Sequence, residues 1–382
     1  MKKNEFPKDQ YHEVPKDVIV SVQHLREYFP ISTGFFKTQL LKATDDVSFD
    51  IKRGETLGLV GESGCGKTTT GRTILQLYKP TGGKVFFNGE EVTKKNLKEF
   101  RKKTNIVFQD PYSSLDPRMK VEDIIAEPMD VNHAYKTKDE RDEKVKMLMK
   151  AVGLNAEQSQ RYAHEFSGGQ RQRIGIARAL SMSPEFVVCD EPVSALDVSI
   201  QAQVLNAFHD LQKQFNLTYL FVAHNLLVVK HISDRIAVMY LGRLVELCES
   251  NEIFENPLHP YTVTLLSAIP VPDPKVARAN QRFVLQGEIP SPLNAPSGCP
   301  FRTRCPFATD RCAQEIPPLI EPKPGHYVAC FYPEKASEMR NLDSSSSGIL
   351  PQDKPVKGGM LAPEKTESSA KKINKGDVPV QG

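Results

Sequence analysis

The sequence predicts an α/β fold built on a mostly parallel sheet with both faces covered, and two observations predict it. Short, continuously apolar runs, FVVCD (186–190), TYLFV (218–222) and RIAVMY (235–240), alternate with helical stretches, as strands buried on both faces do. A further run, TLGLV at 56–60, ends in the glycine-rich stretch GESGCGKT, with a helix expected from about Lys67.

The remaining elements follow in chain order. VIVSVQH (18–24) and VSFDI (47–51) read as strands ahead of the glycine-rich turn, and KVFFN (84–88) and NIVF (105–108) as strands behind it. From about 120 to 182 the chain reads as mainly helical. In TKDERDEKVKMLMKAVG, Thr137 and Glu140 fit a capping box, Val145, Leu148, Met149 and Val152 share one face, and Gly153 can close the helix. A helix is expected over about 199–214 and a shorter one after TYLFV. From about 250 the texture turns Pro-rich and irregular, which reads as a small appended domain over 251–335. Residues 1–17 read as a flexible N-terminus, and 336–382, with few large apolar residues, as a disordered tail. The strand, glycine-rich turn and helix unit is not repeated, so one such core is expected.

Composition narrows the function. Fifty Lys and Arg against 47 Asp and Glu leave a formal charge of +3, too balanced to point to a nucleic-acid partner. The polar start MKKNEFPKDQ has no signal-peptide core, and no later run is long and apolar enough to span a bilayer, so the chain reads as cytosolic. The basic run KKNLKEFRKK (94–103) reads as a solvated helix face. Seven cysteines in a reducing compartment do not read as a disulfide framework. Cys65, Cys189 and Cys248 stand singly and read as inert small side chains. The other four are clustered.

GESGCGKT, comprising Gly61, Glu62, Ser63, Gly64, Cys65, Gly66, Lys67 and Thr68, matches the phosphate-binding pattern G-x-x-x-x-G-K-T in the strand-to-helix context that pattern demands. The glycines let backbone N–H groups wrap phosphate oxygens at a helix N-terminus, with Thr69 next in that helix, and Lys67 adds charge at the β and γ positions. Thr68 can ligate Mg²⁺. FVVCDEP carries Asp190 to the sheet's carboxyl edge, where it serves as a Mg²⁺ ligand directly or at one remove. Glu191 beside it is placed to orient and deprotonate a water for attack on the γ-phosphate of ATP. In FSGGQRQRIGIARAL (166–180), Ser167, Gly168, Gly169 and Gln170 present a second helix N-terminus suited to phosphate. One γ-phosphate cannot readily use two such termini from one subunit, which suggests a site completed across a dimer.

These motifs and their order resemble the ATPase subunit of ABC transporters, whose LSGGQ motif appears here as FSGGQ. The resemblance implies a P-loop NTPase fold over 18–250, with a mixed, mainly parallel core sheet, an antiparallel β subdomain and a helical subdomain at about 111–182. It implies that Gln109 in NIVFQDP senses the γ-phosphate and Mg²⁺, that SALD, ending at Asp197, is the D-loop, and that His224 in FVAHN is the switch histidine. An adenine-stacking aromatic is expected upstream, with Phe29 chosen and Tyr28 the alternative; either could be core. Two such ATPases close head to tail around two ATP molecules, and closure drives a transporter.

The segments NPLHPYTVTLLSAIPVPDP (256–274), GEIPSPLNAPSGCPFRTRCPFATDRC (287–312) and HYVAC (326–330) resemble the C-terminal extension of oligopeptide/dipeptide permease ATPases, a subfamily that includes nickel importers. Non-transport ABC ATPases carry two cassettes or long coiled-coil insertions, and this chain has neither. FSGGQRQRIGIARAL looks like the F-type of two paralogous ATPases. The resemblance therefore implies a D-type partner in a heterodimer (or else a homodimer), two membrane permeases, an external peptide-binding protein, and a peripheral place on the cytoplasmic face of the membrane. Peptide is the expected cargo and nickel the alternative.

Cys299, Cys305, Cys312 and Cys330 are spaced C-x5-C-x6-C-x17-C, unlike the C-x2-C knuckles of structural zinc sites. Spacing alone leaves an iron–sulfur cluster, zinc, and free or oxidised thiols open, with Arg302, Arg304 and Arg311 able to favour thiolates. Some permease ATPases that carry this motif hold an iron–sulfur cluster, so the resemblance implies a 4Fe–4S group. The thiols lie far in sequence from the phosphate motifs, and hydrolysis is expected not to need them.

Overall fold

The computed structural model describes residues 9–32, 38–269 and 288–345. Its centre is an eight-stranded mixed sheet. Strands β9 (Arg235–Tyr240), β3 (Thr56–Val60), β8 (Thr218–Val222), β7 (Phe186–Asp190) and β6 (Thr104–Val107) run parallel in that spatial order. Every residue of β3, β7 and β8 is buried, which is why these strands read as unbroken apolar runs. A separate antiparallel sheet pairs β2 (Thr38–Lys52) with β1 (Val18–Ser32), β1 with β4 (Gly82–Phe87), and β4 with the short β5 (Glu90–Glu91).

Helix α1 (Lys67–Ile74) follows β3, and α2 (Leu97–Lys103) buries Phe100 while its lysines face outward. The helical layer comprises α3 (Val121–Asn132), α4 (Lys138–Ala151) and α5 (Gly168–Leu180). In α4 the expected apolar face is fully buried at Val145, Leu148, Met149 and Val152, and Gly153 takes φ +73° at the helix end. The cap differs in detail: Thr137 accepts from the Glu140 N–H at 3.2 Å, whereas the Glu140 carboxylate accepts from Lys136 N–H at 2.8 Å, not from Thr137. Helices α6 (Val198–Phe215) and α7 (Leu226–Ile232) complete the alternation.

The expected break near 250 is not a packing boundary. Strand β10 (Arg243–Glu249), which the sequence reading passed over, pairs antiparallel with β9. It also pairs with β12 (His326–Val328), which in turn pairs with β11 (Ile320–Lys323), so the C-terminal segment extends the central sheet. Between them lie α8 (Ser250–Glu255), α9 (Pro260–Ser267) and α10 (Asp310–Gln314). Glu246 of β10 is fully buried and pins the segment: its carboxylate accepts from the N–H groups of Leu258 at 2.6 Å and His259 at 3.0 Å, and pairs with His326 Nε2 at 2.7 Å. Cys299, Phe301 and Cys312 belong to the same apolar core as β7 and the helical layer.

Both termini also depart from expectation. Asp9 accepts two hydrogen bonds from Arg26, at 2.7 and 2.9 Å, and His12 N–H donates to Gln23 Oε1 at 3.0 Å, so residues 9–17 are anchored on β1 rather than free. Residues 1–8 lie outside the described residues. Glu334–Ser345 forms helix α11, with Ala336 and Met339 buried against Val263, because those two side chains supply an apolar stripe that composition alone conceals. The remainder of the expected tail, 346–382, lies outside the described residues.

Candidate active site

The loop from Gly61 to Gly66 joins β3 to α1 with φ values of +153° at Gly61, +78° at Gly64 and +106° at Gly66. Two of these positions are also crowded. A Cβ would stand 2.2 Å from the Met239 carbonyl oxygen at Gly61 and 2.0 Å from that of Ala43 at Gly66, whereas Gly64 faces open space. Ala43 and Met239 lie on β2 and β9, so neighbouring backbone encloses the loop. Lys67 is 4% exposed, and its ammonium donates to the carbonyls of Gly61 at 2.9 Å and Glu62 at 3.0 Å.

Thr68 Oγ1 donates to Asp190 Oδ1 at 2.6 Å, and Arg72 donates to Asp190 Oδ2 at 3.2 Å. A hydroxyl and a 1% exposed carboxylate in contact at a phosphate loop are the hard oxygen donors that Mg²⁺ takes alongside nucleotide phosphates. These two side chains fit the ion.

Three residues far apart in sequence converge beside Asp190. Gln109 donates to Glu191 Oε2 at 3.0 Å, and His224 Nδ1 lies 3.4 Å from the same oxygen. Glu191 holds a left-handed φ of +45°, and its N–H donates to Val222 O at 3.0 Å on β8. The neighbouring strand thus fixes a backbone turn that aims the carboxylate off the sheet edge. A carboxylate with one well-placed amide donor and an imidazole, next to a phosphate loop, is suited to accept a proton from water.

Ser167, Gly168, Gly169 and Gln170 are not brought into this group. They cap α5 on themselves: Ser167 N–H donates to Gln170 Oε1 at 3.0 Å and Gln170 N–H to Ser167 Oγ at 3.4 Å. Among the described residues no hydrogen bond joins 167–170 to Gly61–Thr68. Asp197 stands exposed at the N-cap of α6, next to Val198, which is 82% exposed. Of the two aromatics, Tyr28 is 9% exposed with its hydroxyl on Asp45, while Phe29 is half-buried and packs edge-to-face on Tyr78.

All four clustered cysteines are free thiols lining one cavity of about 20 Å³, walled by Phe301, Phe307, Phe331 and Tyr332. Burial pushes Cys305 up to about 12 and Cys330 up to about 11, and it raises Cys299 as well. Arg302 does favour the Cys299 thiolate, as expected, but burial outweighs it. Arg304 is bound to Glu62, Arg302 donates to Ser297 O at 2.8 Å, and Arg311 stacks on Phe331 at 4.0 Å, so each guanidinium also has a local partner.

The thiol spacing bears on the metal. Four sulfurs around one zinc lie about 3.8 Å apart, given Zn–S bonds of about 2.3 Å. Among the described residues the one set of three ligand atoms within 4.8 Å is Asp9, His24 and Asp46, so no three of the four Sγ atoms meet at that range. Arg26 already donates to both of those aspartates. The four thiols are soft donors gathered around one apolar cavity.

The Glu62 contacts escaped sequence reading. Its carboxylate pairs with Arg304 at 2.9 Å, and its N–H donates to the Tyr261 hydroxyl at 2.9 Å. No local pattern links positions about 200 residues apart.

Residues 44–194 match the family model described as ABC transporter, and residues 245–312 match that of the oligopeptide/dipeptide transporter C-terminal region. The chain is 53% identical over 321 residues to the oligopeptide transport ATP-binding protein AppF of Bacillus subtilis strain 168, covering 82% of this chain and 97% of that protein. It is 54% identical over 316 residues to OppF of the same strain, covering 82% and 96%. Among solved structures, cbiO1 from Clostridium perfringens, part of the cbiONQ ABC transporter complex, superposes with a TM-score of 0.56 at 23% identity, covering 69% of this chain and 98% of that one. The ATP-binding cassette MJ0796, in a dimeric post-hydrolysis state with ADP and Pi, gives 0.54 at 24% identity, covering 61% and 99%. These two likenesses show the fold, and it is the expected one: a P-loop core with a mixed sheet and an antiparallel β subdomain. The chain belongs to the ATP-binding proteins of ABC transporters, in the branch that carries the oligopeptide/dipeptide transporter C-terminal region.

Proposed function

We propose that this chain is the ATP-hydrolysing subunit that powers import of oligopeptides or dipeptides through an ABC transporter. The observation that carries the reading is the convergence of Gln109, Glu191 and His224 beside the Thr68–Asp190 pair. In this reading Gly61–Thr69 cradle the ATP phosphates, and Thr68, Asp190 and Gln109 hold Mg²⁺, which offsets charge on the phosphate oxygens when bound. Glu191 accepts the proton of the attacking water, while Gln109 and His224 hold its carboxylate and report on the γ-phosphate. Phe29 stacks on adenine, because it is the less buried of the two rings and the Tyr28 hydroxyl is held by Asp45.

Ser167–Gln170 and Asp197 serve a second site across a subunit interface. Supporting this, Ser167 and Asp197 are exposed, Gly168–Gln170 are partly buried, and among the described residues none of them is hydrogen-bonded to the phosphate loop; Val198 beside Asp197 is 82% exposed. The partner is a D-type paralogue of this chain, and the pair drives two permeases fed by an external peptide-binding protein from the cytoplasmic face of the membrane. Among the described residues no helix is long and apolar enough to cross a membrane, so crossing falls to those permeases. Purification of the assembled complex tests the partners: two different ATPases, two permeases and a peptide-loaded binding protein are expected, and a nickel-loaded binding protein would overturn the cargo.

Cys299, Cys305, Cys312 and Cys330 hold a 4Fe–4S cluster. Bound there, such a group would be held by the thiols of the 299–312 loop and by Cys330 after β12, and would supply a structural cross-link between them. Anaerobic purification followed by iron, sulfide and zinc analysis is expected to give about four irons per chain; stoichiometric zinc without iron would refute it.

A further inference from the structure

The C-terminal extension reaches the phosphate loop directly. Glu62 is held from three sides: its carboxylate by Arg304, its N–H by the Tyr261 hydroxyl, and its carbonyl by Lys67 Nζ at 3.0 Å. The Arg304 contact is a fork, with Nη1 at 2.9 and 3.2 Å from the two carboxylate oxygens and Nη2 at 3.2 Å. Both partners are largely shielded, with side chains 8% and 23% exposed. Tyr261 is fully buried, and Tyr240, Tyr261 and Phe301 pack into one aromatic block with ring centroids 4.7–5.4 Å apart. Arg304 lies over the Tyr240 ring at 5.9 Å. Glu62 is thus clamped by an aromatic-backed wall whose Arg304 lies one residue before Cys305.

We propose that Arg304 and Tyr261 are positioning residues for ATP binding, which makes the C-terminal extension a working part of the nucleotide site. Two physical effects act together. The fork and the hydroxyl hold the loop backbone in the shape that leaves its other N–H groups free for phosphate, so less ordering remains to be done when ATP binds. Arg304 also neutralises a carboxylate that otherwise sits bare in a loop receiving the phosphate charge. Removing Arg304 exposes that repulsion in a partly desolvated place, where charge is weakly screened. Removing Glu62 as well abolishes it.

The inference rests on the reading of Gly61–Thr68 as the ATP loop, and the affinity of the unmodified chain is the control that separates the two. The test is the dissociation constant of a fluorescent ATP analogue for the full chain, alongside its thermal unfolding. Arg304→Gln is expected to weaken binding about tenfold, or about 1.4 kcal/mol. Glu62→Gln in the same chain is expected to restore it to within about threefold of the original. Arg304→Lys keeps the charge without the fork and is expected to fall between; it also stands in if Arg304→Gln does not fold. Assembled into the transporter, Arg304→Gln is expected to raise KM for ATP by more than it lowers kcat. An Arg304→Gln or Arg304→Lys chain with unchanged ATP affinity would overturn the proposal. So would a double variant as weak as Arg304→Gln, since that marks a purely structural loss.

Discussion

Glu191→Gln binds ATP with affinity close to the original and hydrolyses it at least about 100-fold more slowly, the scale of losing a positioned general base. The geometry makes this a clean substitution. The side chain is 15% exposed, so an amide of the same size keeps its place, and Gln109 at 3.0 Å can still donate to the amide oxygen. The backbone turn at φ +45° is held by the Val222 carbonyl and does not depend on the charge. What the variant loses is the capacity to take a proton from water. The phosphate loop, Lys67 and the Thr68–Asp190 pair are untouched, so nucleotide affinity reports an intact site while phosphate release reports the missing base. Steady-state hydrolysis near the original rate would remove Glu191 from that role.

Gly66→Ala abolishes ATP binding, whereas Gly64→Ala leaves it within about tenfold. Both residues have positive φ, +106° and +78°, so an L side chain at either costs roughly 1–2 kcal/mol of backbone strain. The difference is space. At Gly66 the new Cβ stands 2.0 Å from the Ala43 carbonyl oxygen, an approach that requires β2 or the N-terminus of α1 to move. Gly66 is also the N-cap of α1, so the displacement passes directly to Lys67 and Thr68. At Gly64 the Cβ meets no atom within 4 Å. Nucleotide titration of the two variants, with unfolding curves beside it, checks the contrast; equal losses would mean that conformational strain, not crowding, sets the glycine requirement.

Wherever one stretch of chain carried its own signal, the fold could be read without coordinates. The buried strands TLGLV, FVVCD and TYLFV, the glycine turn at Gly61–Gly66 and the α4 face at Val145, Leu148, Met149 and Val152 are local patterns, and the structure contains each of them. Lys67, Asp190 and Glu191 were legible for a similar reason, each sitting at a strand end or helix start that a local motif marks, whereas Gln109 and His224 came only from the family resemblance. The C-terminal segment defeated that approach. β12 is three residues long and β11 is exposed throughout, so neither shows a strand's alternation; the strand character of β12 comes from pairing onto β10 and that of β11 from pairing onto β12. The Arg304–Glu62 fork joins positions 242 apart, and an arginine beside cysteines invites a reading about thiols until its partner is seen. Desolvation, which raises Cys299, Cys305 and Cys330, depends on the aromatic walls of a cavity that no spacing reveals.

The most direct test of the account is ATP-driven uptake by proteoliposomes holding the complete transporter, with this chain as its F-type ATPase. Labelled oligopeptide delivered by the cognate binding protein is expected to accumulate only with MgATP present and to stop when this chain carries Glu191→Gln. Accumulation of nickel with no uptake of peptide, or peptide uptake undiminished by Glu191→Gln, would contradict it.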